Sequence, residues 1–340
     1  MKTFRPLLVL ILVGLALSSC EQLPLLLSGE ESTSHTSVFQ LDSMEVLRTP
    51  DERFDQLVDY PFESNYVSVM PGHLRMHYLD EGPTNGKVVL LLHGNPTWTY
   101  GLRKIIPLLV ERGYRVIAPD LIGFGKSDKP ASREVHTYDN QERWVTSFVR
   151  KLDLRGVHLH VQDWGGILGL RVAIRNPRRF ATVAASNTFL PTGDIVTDNF
   201  LFWRDSISQV VPDYSIVMQT ITVDELSPEE VAAFDAPFPS EEYKAGPREL
   251  PLRVPTDPND PEALENQRLL TKWAQWRKPF LVLFSEDDAI TSGADRVLIE
   301  TIPGAEGQPH ATLPDARHFI REDQPEEVAK RLSDFIESAS

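Results

Sequence analysis

The chain has 340 residues, of which 41% are hydrophobic and 24% charged, a balance typical of a folded globular protein with a sizeable core. Its formal net charge of −15 argues against a nucleic-acid partner, because such binding depends on Lys and Arg neutralising phosphates and the chain has no basic cluster.

The first twenty residues have the pattern of an export signal. Lys2 and Arg5 form a short positive region, residues 6–16 are almost entirely apolar, and LSSC at residues 17–20 matches a bacterial lipobox. The apolar stretch is too short for a comfortable membrane span. We expect Cys20, the only cysteine, to carry a lipid that anchors an exported, disulfide-free protein on the periplasmic or cell-surface side of a bacterial membrane. The alternative is an ordinary signal peptide or uncleaved anchor with an accidental cysteine.

Residues 21–43 mix Ser, Thr and Glu with little periodicity. This composition is typical of a flexible tether between lipid and domain. The LPLLL patch within it could also pack on the membrane or on the domain.

From Met44 onward, short apolar runs alternate with helical stretches, which predicts an α/β fold whose mostly parallel sheet has helices on both faces. The predicted strands are residues 74–79, 88–92, 115–118, 157–162, 182–186, 280–284 and 310–313. The predicted helices are residues 99–112, 141–152, 166–175 and 325–338.

This alternation lapses between residues 186 and 278, a stretch far too long for a connecting loop. We interpret residues 189–276 as an inserted helical cap, with the core divided into residues 44–188 and 277–340. A cap over the carboxyl edge of the sheet would enclose a pocket there.

The run VHLHVQDWGG at residues 157–166 has the pattern of a strand, a sharp turn and a helix, with Gly165 and Gly166 permitting a tight turn. This is the context of a nucleophile elbow, but the residue at the tip is Asp163 where serine is usual. A carboxylate is ionised near neutral pH and can displace a leaving group from saturated carbon, forming an ester. Asp163 therefore indicates cleavage of a carbon–halogen bond or an epoxide C–O bond. The alternative is a simple helix N-cap.

An elbow nucleophile needs a histidine late in the chain and an acid before it. His318 follows the short strand at 310–313 and precedes a helix, which predicts a place at the carboxyl edge of the sheet. Glu286, Asp287 and Asp288 follow the strand FLVLF, and their spacing favours Asp288, with Asp287 in reserve.

The oxyanion hole should consist of backbone N–H groups from Trp164, directly after the nucleophile, and Asn95 in the loop LLLHGNPTW. We expect His93 to order that loop. His158 and His160 form an H-x-H pair without a third ligand nearby in sequence, so we interpret them as structural and expect no metal site.

Six segments in this order, HGNPTWTY, APDLIGFGKSDKP, VQDWGG, FLFWR, DAPFPSEEYKAG and ARHFIREDQPEE, resemble a haloalkane dehalogenase of the α/β-hydrolase superfamily. The resemblance is to the subfamily whose catalytic acid follows the later strand, and it runs from about Met44 to the C-terminus. It implies an α/β-hydrolase fold with a helical cap, a halogenated substrate and water, no cofactor, and a monomeric domain.

The resemblance also implies a role for each matching residue. Asp163 would be the nucleophile, His318 the base and Asp288 its partner. Trp164 and Trp203 would donate indole N–H groups to the departing halide, a donor type that binds a soft anion without a cation that traps it. Trp203 could instead belong to the core of the cap.

Two positions depart from that subfamily. Asn95 stands where Glu is common, and Asn there is the halide donor of another subfamily, so a mixed halide site is open. Asn187 stands where that other subfamily has its acid, and because an amide cannot titrate, this supports Asp288.

Three other functions share part of this residue pattern. An epoxide hydrolase uses the same Asp-His-Asp arrangement with cap tyrosines, for which Tyr214 and Tyr243 are available. A fluoroacetate-type dehalogenase would need paired arginines that the early motifs lack. A catalytically silent lipid-anchored binding protein is the third, and the complete triad argues against it.

Overall fold

The structure is a computed structural model that describes residues 37–41, 44–194, 196–209 and 213–339. The predicted leader over residues 1–20, Cys20 included, and the first part of the predicted tether lie outside the described residues.

The strands follow the apolar runs of the sequence. They are β1 (Ser37–Leu41), β2 (Met44–Arg48), β3 (Asn65–Val69), β4 (Leu74–Glu81), β5 (Val88–Leu92), β6 (Arg115–Pro119), β7 (Lys129–Pro130), β8 (Val157–Gln162), β9 (Phe180–Ser186), β10 (Phe280–Ser285) and β11 (Ala311–Leu313).

The larger sheet has the order β3-β4-β6-β5-β8-β9-β10-β11, in which β4 is antiparallel to both neighbours and the other pairs are parallel. A smaller antiparallel sheet has the order β1-β2-β7. The mostly parallel main sheet agrees with the prediction, whereas β3 and the smaller sheet were not predicted.

The helices alternate with these strands through the core. They are α1 (Ile105–Val110), α2 (Tyr138–Lys151), α3 (Asp163–Arg175), α4 (Asp198–Gln209), α5 (Tyr214–Ile221), α6 (Pro228–Asp235), α7 (Ala245–Arg253), α8 (Pro261–Trp273), α9 (Ala294–Thr301), α10 (Ile320–Asp323) and α11 (Pro325–Ser338). Short 3₁₀ helices cover Asp51–Phe54, Thr99–Leu102, Arg133–Val135, Pro177–Arg179, Glu241–Lys244 and Pro303–Ala305.

Both faces of the main sheet are covered, because alternate side chains of each central strand enter different cores. Leu90 and Leu92 pack with residues of α2 and α3, whereas Val89 and Leu91 pack with residues of α1 and α11. The uninterrupted apolar runs seen in the sequence follow from this double burial. Among the described residues, no helix has both the length and the apolar character needed to cross a membrane.

Helices α4 to α8 lie within the stretch for which a cap was predicted. Contacts with core loops hold α6 and its following residues: the Trp98 indole N–H donates to the carbonyl of Ala233 at 3.1 Å, and the Thr49 hydroxyl donates to that of Pro237 at 2.7 Å. The helix begins at a capping box between Ser227 and Glu230.

Two predictions were wrong in part. The tether predicted over residues 21–43 includes β1, which pairs with β2 in a hairpin. Buried Val46 and Leu47 hold β2 in place, and the backbone of β2 forms hydrogen bonds with β1 even though the β1 segment has little hydrophobic periodicity. The helix predicted over residues 99–112 is a 3₁₀ helix followed by the short α1, which ends at Val110.

Candidate active site

Asp163 lies at the junction of β8 and α3 with a φ of 52°, a left-handed conformation that a non-glycine residue rarely adopts. Its N–H donates to the carbonyl of Asn187 at 3.1 Å, and the Thr188 hydroxyl donates to its carbonyl at 2.8 Å. The end of β9 therefore holds the elbow in its strained conformation.

The glycines around the elbow permit close approach. A Cβ on Gly94 would lie 2.6 Å from both Cβ and Oδ1 of Asp163. A Cβ on Gly165 would overlap the carbonyl of His93, and one on Gly166 would overlap the Thr188 hydroxyl. The positive φ of the turn belongs to Asp163 itself, so Gly165 and Gly166 serve packing against neighbouring loops more than the turn for which we predicted them.

The structure brings the predicted triad together. His318 Nε2 lies 3.3 Å from Asp163 Oδ2, and His318 Nδ1 donates to Asp288 Oδ1 at 3.0 Å. Asp288 also accepts the N–H of Ile290 at 2.9 Å and the hydroxyl of Thr291. Asp287 is exposed, so the geometry favours Asp288 over the reserve candidate.

Charge is shared within this triad. Burial opposes a positive His318, but the carboxylates of Asp288 and Asp163 outweigh burial and raise the pKa of His318 to about 10. Burial likewise opposes a negative Asp288, yet His318 and the hydrogen bonds from Thr291 and Ile290 lower the pKa of Asp288 overall. The two carboxylates therefore favour the protonated form of His318.

One predicted oxyanion donor contacts the nucleophile directly, since the Asn95 N–H donates to Asp163 Oδ1 at 2.6 Å. His93 holds the same loop: its Nε2 accepts the N–H of Leu121 at 2.9 Å, which leaves Nδ1 to donate to the Gly94 carbonyl at 2.9 Å. The second donor that we predicted, the N–H of Trp164, follows Asp163 in α3, and its role stays a prediction.

A small, mostly apolar cavity adjoins Asp163. It is lined by Asp163, Trp164, Ile167, Thr188, Phe189, Phe200, Val254, Ile290 and Thr291. Trp164 lines the cavity, with its ring centroid 5.0 Å from that of Tyr138, and its role as a halide donor stays a prediction. Trp203 is half-buried against the core one turn after Phe200, and it is not part of this lining. Tyr214 and Tyr243, the tyrosines that an epoxide hydrolase would need, are buried and do not line it either.

The H-x-H pair contacts the neighbouring strand. His158 Nδ1 lies 3.0 Å from the Thr182 hydroxyl, and His160 Nε2 lies 2.9 Å from that of Ser186. In the part of the chain that the structure describes, no group of three or more His, Cys, Asp or Glu is arranged to hold a metal ion.

Two residues of the site were not singled out from the sequence. Gln162 donates from Nε2 to the His318 carbonyl at 2.5 Å, and Arg321 donates to Gln162 Oε1 at 3.1 Å. The sequence signals that could have identified them were a polar Gln at the end of an apolar strand and an Arg three positions after His318.

The Asp elbow, the late histidine and the sheet order define an α/β hydrolase, and the family model described as alpha/beta hydrolase fold matches residues 87–324. A haloalkane dehalogenase from Psychrobacter cryohalolentis is 48% identical over 299 residues, covering 86% of this chain and 98% of the relative. One from Mycobacterium marinum is 47% identical, covering 85% and 99%. The chain belongs to the haloalkane dehalogenase family.

A solved structure supports the same assignment. The tetrameric structure of haloalkane dehalogenase DpaA from Paraglaciecola agarilytica NO2 is 32% identical, with a TM-score of 0.78, and the match covers 84% of this chain and 97% of that chain. The fold class and the family predicted from the sequence are confirmed.

Proposed function

We propose that this protein hydrolyses the carbon–halogen bond of haloalkanes, consuming water and releasing an alcohol and a halide. The observation that carries the proposal is the Asp163 carboxylate, whose Oδ1 accepts the Asn95 N–H and whose Oδ2 adjoins His318, beside an apolar cavity. A carboxylate attacks saturated carbon to give an ester that water can hydrolyse, whereas its attack on an amide would give an anhydride that reverts. Membership of the dehalogenase family supports the same reaction.

In the first step, an oxygen of Asp163 attacks the halogenated carbon in line with the leaving group. The new C–O bond forms as the carbon–halogen bond breaks, and the halide leaves with the bonding electron pair. The indole N–H of Trp164, a residue of the cavity, stabilises the developing anion. The product is a neutral ester of Asp163, so one of the two negative charges that raise the pKa of His318 has gone. His318 then releases its proton to solvent and becomes the neutral base.

In the second step, His318 takes a proton from water as that water attacks the carboxyl carbon of Asp163. The tetrahedral oxyanion is stabilised by the Asn95 N–H, with the Trp164 N–H as the second donor. Collapse breaks the ester bond, and the hydroxyl proton of the adduct passes to the departing alkoxide to give the alcohol. The Asp163 carboxylate is restored beside a protonated His318, so the one proton released per turnover is the one that His318 lost after the first step. This reaction requires no cofactor.

The second halide donor has two candidates. Trp203 is favoured by the family resemblance, although Phe200 occupies the α4 position that meets the cavity. Asn95 is favoured by its side-chain oxygen, which is buried and accepts no hydrogen bond from any described residue. A half-turn of that amide would put its NH₂ group where the unbonded oxygen now lies, although Asn95, like Trp203, is not among the residues that line the cavity.

Changing His318→Gln tests the reaction, because the variant keeps the nucleophile and loses the base. With a bromoalkane, we expect the purified variant to gain the mass of the alkyl group on Asp163, whereas the wild type turns over. The matched variant His158→Gln, at a buried histidine outside the cavity, should turn over and retain no adduct. In a single turnover of the wild type in oxygen-18 water, the label should enter Asp163 first.

Two outcomes would contradict the proposal. Label that appears at once in the alcohol would mean that water attacks the substrate carbon directly. Opening of epoxides without any bromide release across a panel of substrates would assign the enzyme to the epoxide hydrolases.

We also propose that the protein is exported and anchored to a bacterial membrane by a lipid on Cys20. The support is the lipobox at residues 17–20 after the positive and apolar segments. Cells expressing Cys20→Ser should lose incorporation of labelled palmitate, and the enzyme should move from the membrane to the soluble fraction. Unchanged labelling would exclude this anchor.

We further propose that the domain is monomeric. Light scattering of the purified full-length chain in detergent should give the mass of a single polypeptide in the protein part of the particle. A mass of four chains, the state reported for DpaA, would refute this.

A further inference from the structure

Arg321, the second residue of α10, joins two strand ends of the site. Its Nη1 and Nη2 both donate to the Leu92 carbonyl at 3.0 Å, and Nη2 donates to Gln162 Oε1 at 3.1 Å. Leu92 ends β5, just before the loop that carries Asn95, and Gln162 precedes Asp163. One guanidinium therefore fixes the position of the loop that carries Asn95 relative to the elbow that carries Asp163.

The charge of Arg321 has no carboxylate partner. The side chain is 2% exposed, and no described carboxylate lies within salt-bridge distance of it. Its neighbour Glu322 pairs with Arg103 and Lys104 instead. A buried cation without an ion pair is costly, and a neutral amide could donate the same kind of hydrogen bond.

Asp163 directly follows Gln162, to which Arg321 Nη2 donates at 3.1 Å, and its carboxylate is the negative charge that acts on Arg321. Burial lowers the pKa of Arg321 to about 9, and the negative Asp163 opposes that shift. Burial also lowers the pKa of His93 and of His160, so both are neutral, and the other positive charge beside Asp163 is that of His318. The interaction of Arg321 with the nucleophile thus changes whenever Asp163 gains or loses its charge.

We propose that Arg321 is a positioning residue whose buried charge favours the states in which Asp163 is anionic, and so speeds hydrolysis of the ester more than its formation. The inference rests on the proposed dehalogenation. In the first step, negative charge leaves Asp163 for the halide, and the attraction to Arg321 is lost. In the second, the charge returns to an Asp163 oxygen in the tetrahedral adduct, and the attraction is regained in that transition state.

The experiment separates the two steps. Single-turnover rapid quench with a bromoalkane gives the rate of ester formation and the rate of its hydrolysis, and intact mass gives the fraction of enzyme held as ester. For Arg321→Gln, which keeps a donor but removes the charge, we expect hydrolysis to slow by roughly 10-fold or more while ester formation is unchanged or faster. The ester then accumulates in the steady state.

Two variants control for packing. Arg321→Lys keeps the charge without the fork of donors, and should return the ratio of the two rates close to that of the wild type. Arg103→Gln removes a buried arginine paired with Glu322 and Glu230; it should reduce stability and leave the ratio unchanged. If Arg321→Gln does not fold, Arg321→Lys keeps the inference falsifiable, because a shifted ratio of the two rates in that variant would overturn it.

An equal fall of both rates in Arg321→Gln, or no change in either, would overturn the inference, because a purely structural role predicts no change in their ratio. A shifted ratio in Arg321→Lys would also overturn it. A wild type that forms no ester at all would refute the proposed function instead, and the two failures are thereby distinguished.

Discussion

Each oxygen of the Asp163 carboxylate has its own partner, the Asn95 N–H on Oδ1 and His318 on Oδ2. These contacts restrict rotation of the carboxylate, so the attacking oxygen is presented to the cavity in a limited range of orientations. The same Asn95 N–H serves the carboxylate before attack and the oxyanion afterwards. A single backbone donor therefore acts in both steps of the proposed reaction.

The Asn187 side chain links the end of β10 to the loop that carries His318 through hydrogen bonds. Its Nδ2 donates to the Ser285 hydroxyl and to the carbonyls of Arg317 and His318, and its Oδ1 accepts the Ser285 N–H. We expect Asn187→Asp to lower the free energy of unfolding by roughly 2–3 kcal/mol, because carbonyls would then face a carboxylate without a donor. Urea unfolding at neutral pH measures this loss.

Activity distinguishes this structural role from a catalytic one. If Asn187→Asp kept wild-type stability and supported turnover in an Asp288→Asn background, the new carboxylate would have taken over as the acid. The fully buried Asn266 on α8 offers a contrasting Asn→Asp variant. Its Oδ1 accepts from Arg171 Nε at 2.9 Å, so an aspartate there would have a cationic partner and should cost less than Asn187→Asp.

At the level of secondary-structure elements, the site is built from loops at one edge of the main sheet. Strands β5, β8, β9 and β10 lie side by side and run parallel, so their carboxyl ends meet at one edge. The loops that follow these ends carry Asn95, Asp163, Asn187 and Asp288. Residues almost two hundred positions apart in sequence are thereby brought within reach of one carboxylate.

The loop after β5 must approach the elbow closely, and Gly94 permits this. In Gly94→Ala, the methyl group would lie 2.6 Å from Asp163 Cβ and Oδ1, so the carboxylate or the loop must shift. We expect ester formation to fall by about 100-fold, the effect of misplacing a reacting group by about 1 Å. Rapid quench measures the rate, and urea unfolding should show a loss of only about 1–3 kcal/mol.

Gly113→Ala is the control for this prediction. Its Cβ would meet nothing within 4 Å, but the φ of 86° makes alanine strained there. It should cost about 1 kcal/mol in stability and leave ester formation unchanged. Equal effects of the two variants on ester formation would mean that the contact with Asp163 does not matter.

At the scale of the whole molecule, an acidic chain buries several cations in different ways. Arg103 is compensated by Glu322 and Glu230, whereas the fully buried Lys129 donates to the carbonyls of Gly125 and Ser127 at 2.6 and 3.0 Å. Burial lowers the pKa of Lys129 to about 7, with Asp120 and Asp128 opposing the shift. As the pH is raised, the folded protein therefore loses the Lys129 proton at a much lower pH than the unfolded chain does.

This difference makes stability depend on pH. Between about pH 7 and the unfolded lysine pKa of about 10.4, the unfolded state binds more protons at Lys129, so this residue makes the free energy of unfolding rise with pH. His318, with its raised pKa of about 10, acts in the opposite direction, because the folded state holds its proton longer. The contribution of Lys129 to the pH dependence of stability can therefore be separated from that of His318 only by comparing variants.

We expect the stability of Lys129→Met relative to the wild type to decline by roughly 2–4 kcal/mol as the pH is raised from about 7 to about 10. Urea unfolding at several pH values measures the difference, with the exposed Lys151→Met as the control for the loss of one positive charge. Parallel curves for Lys129→Met and the wild type would show that burial does not shift this lysine.

The sequence by itself determined the elements that depend on local pattern. The apolar strand β8, the elbow at Asp163 and the helix after it are contiguous, so periodicity and composition over some twenty residues were enough to predict them. The order of nucleophile, acid and histidine, together with six motifs, was enough for the family. Asp288 was preferred to Asp287 from spacing alone, and the hydrogen bond to His318 supports that choice.

Contacts between distant side chains follow from the fold and could not be predicted from the sequence. Strand β1 depends on the exposed edge of β2, the cavity admits Phe200 where Trp203 was expected, and Arg321 contacts residues 229 and 159 positions away in the chain. Local pattern carries no information about such partners, because they follow from the order in which strands pair and from how the loops at their ends pack. The elbow is contiguous in the sequence and could be predicted from it. The position of the Arg321 charge near the Asp163 carboxylate depends on the fold.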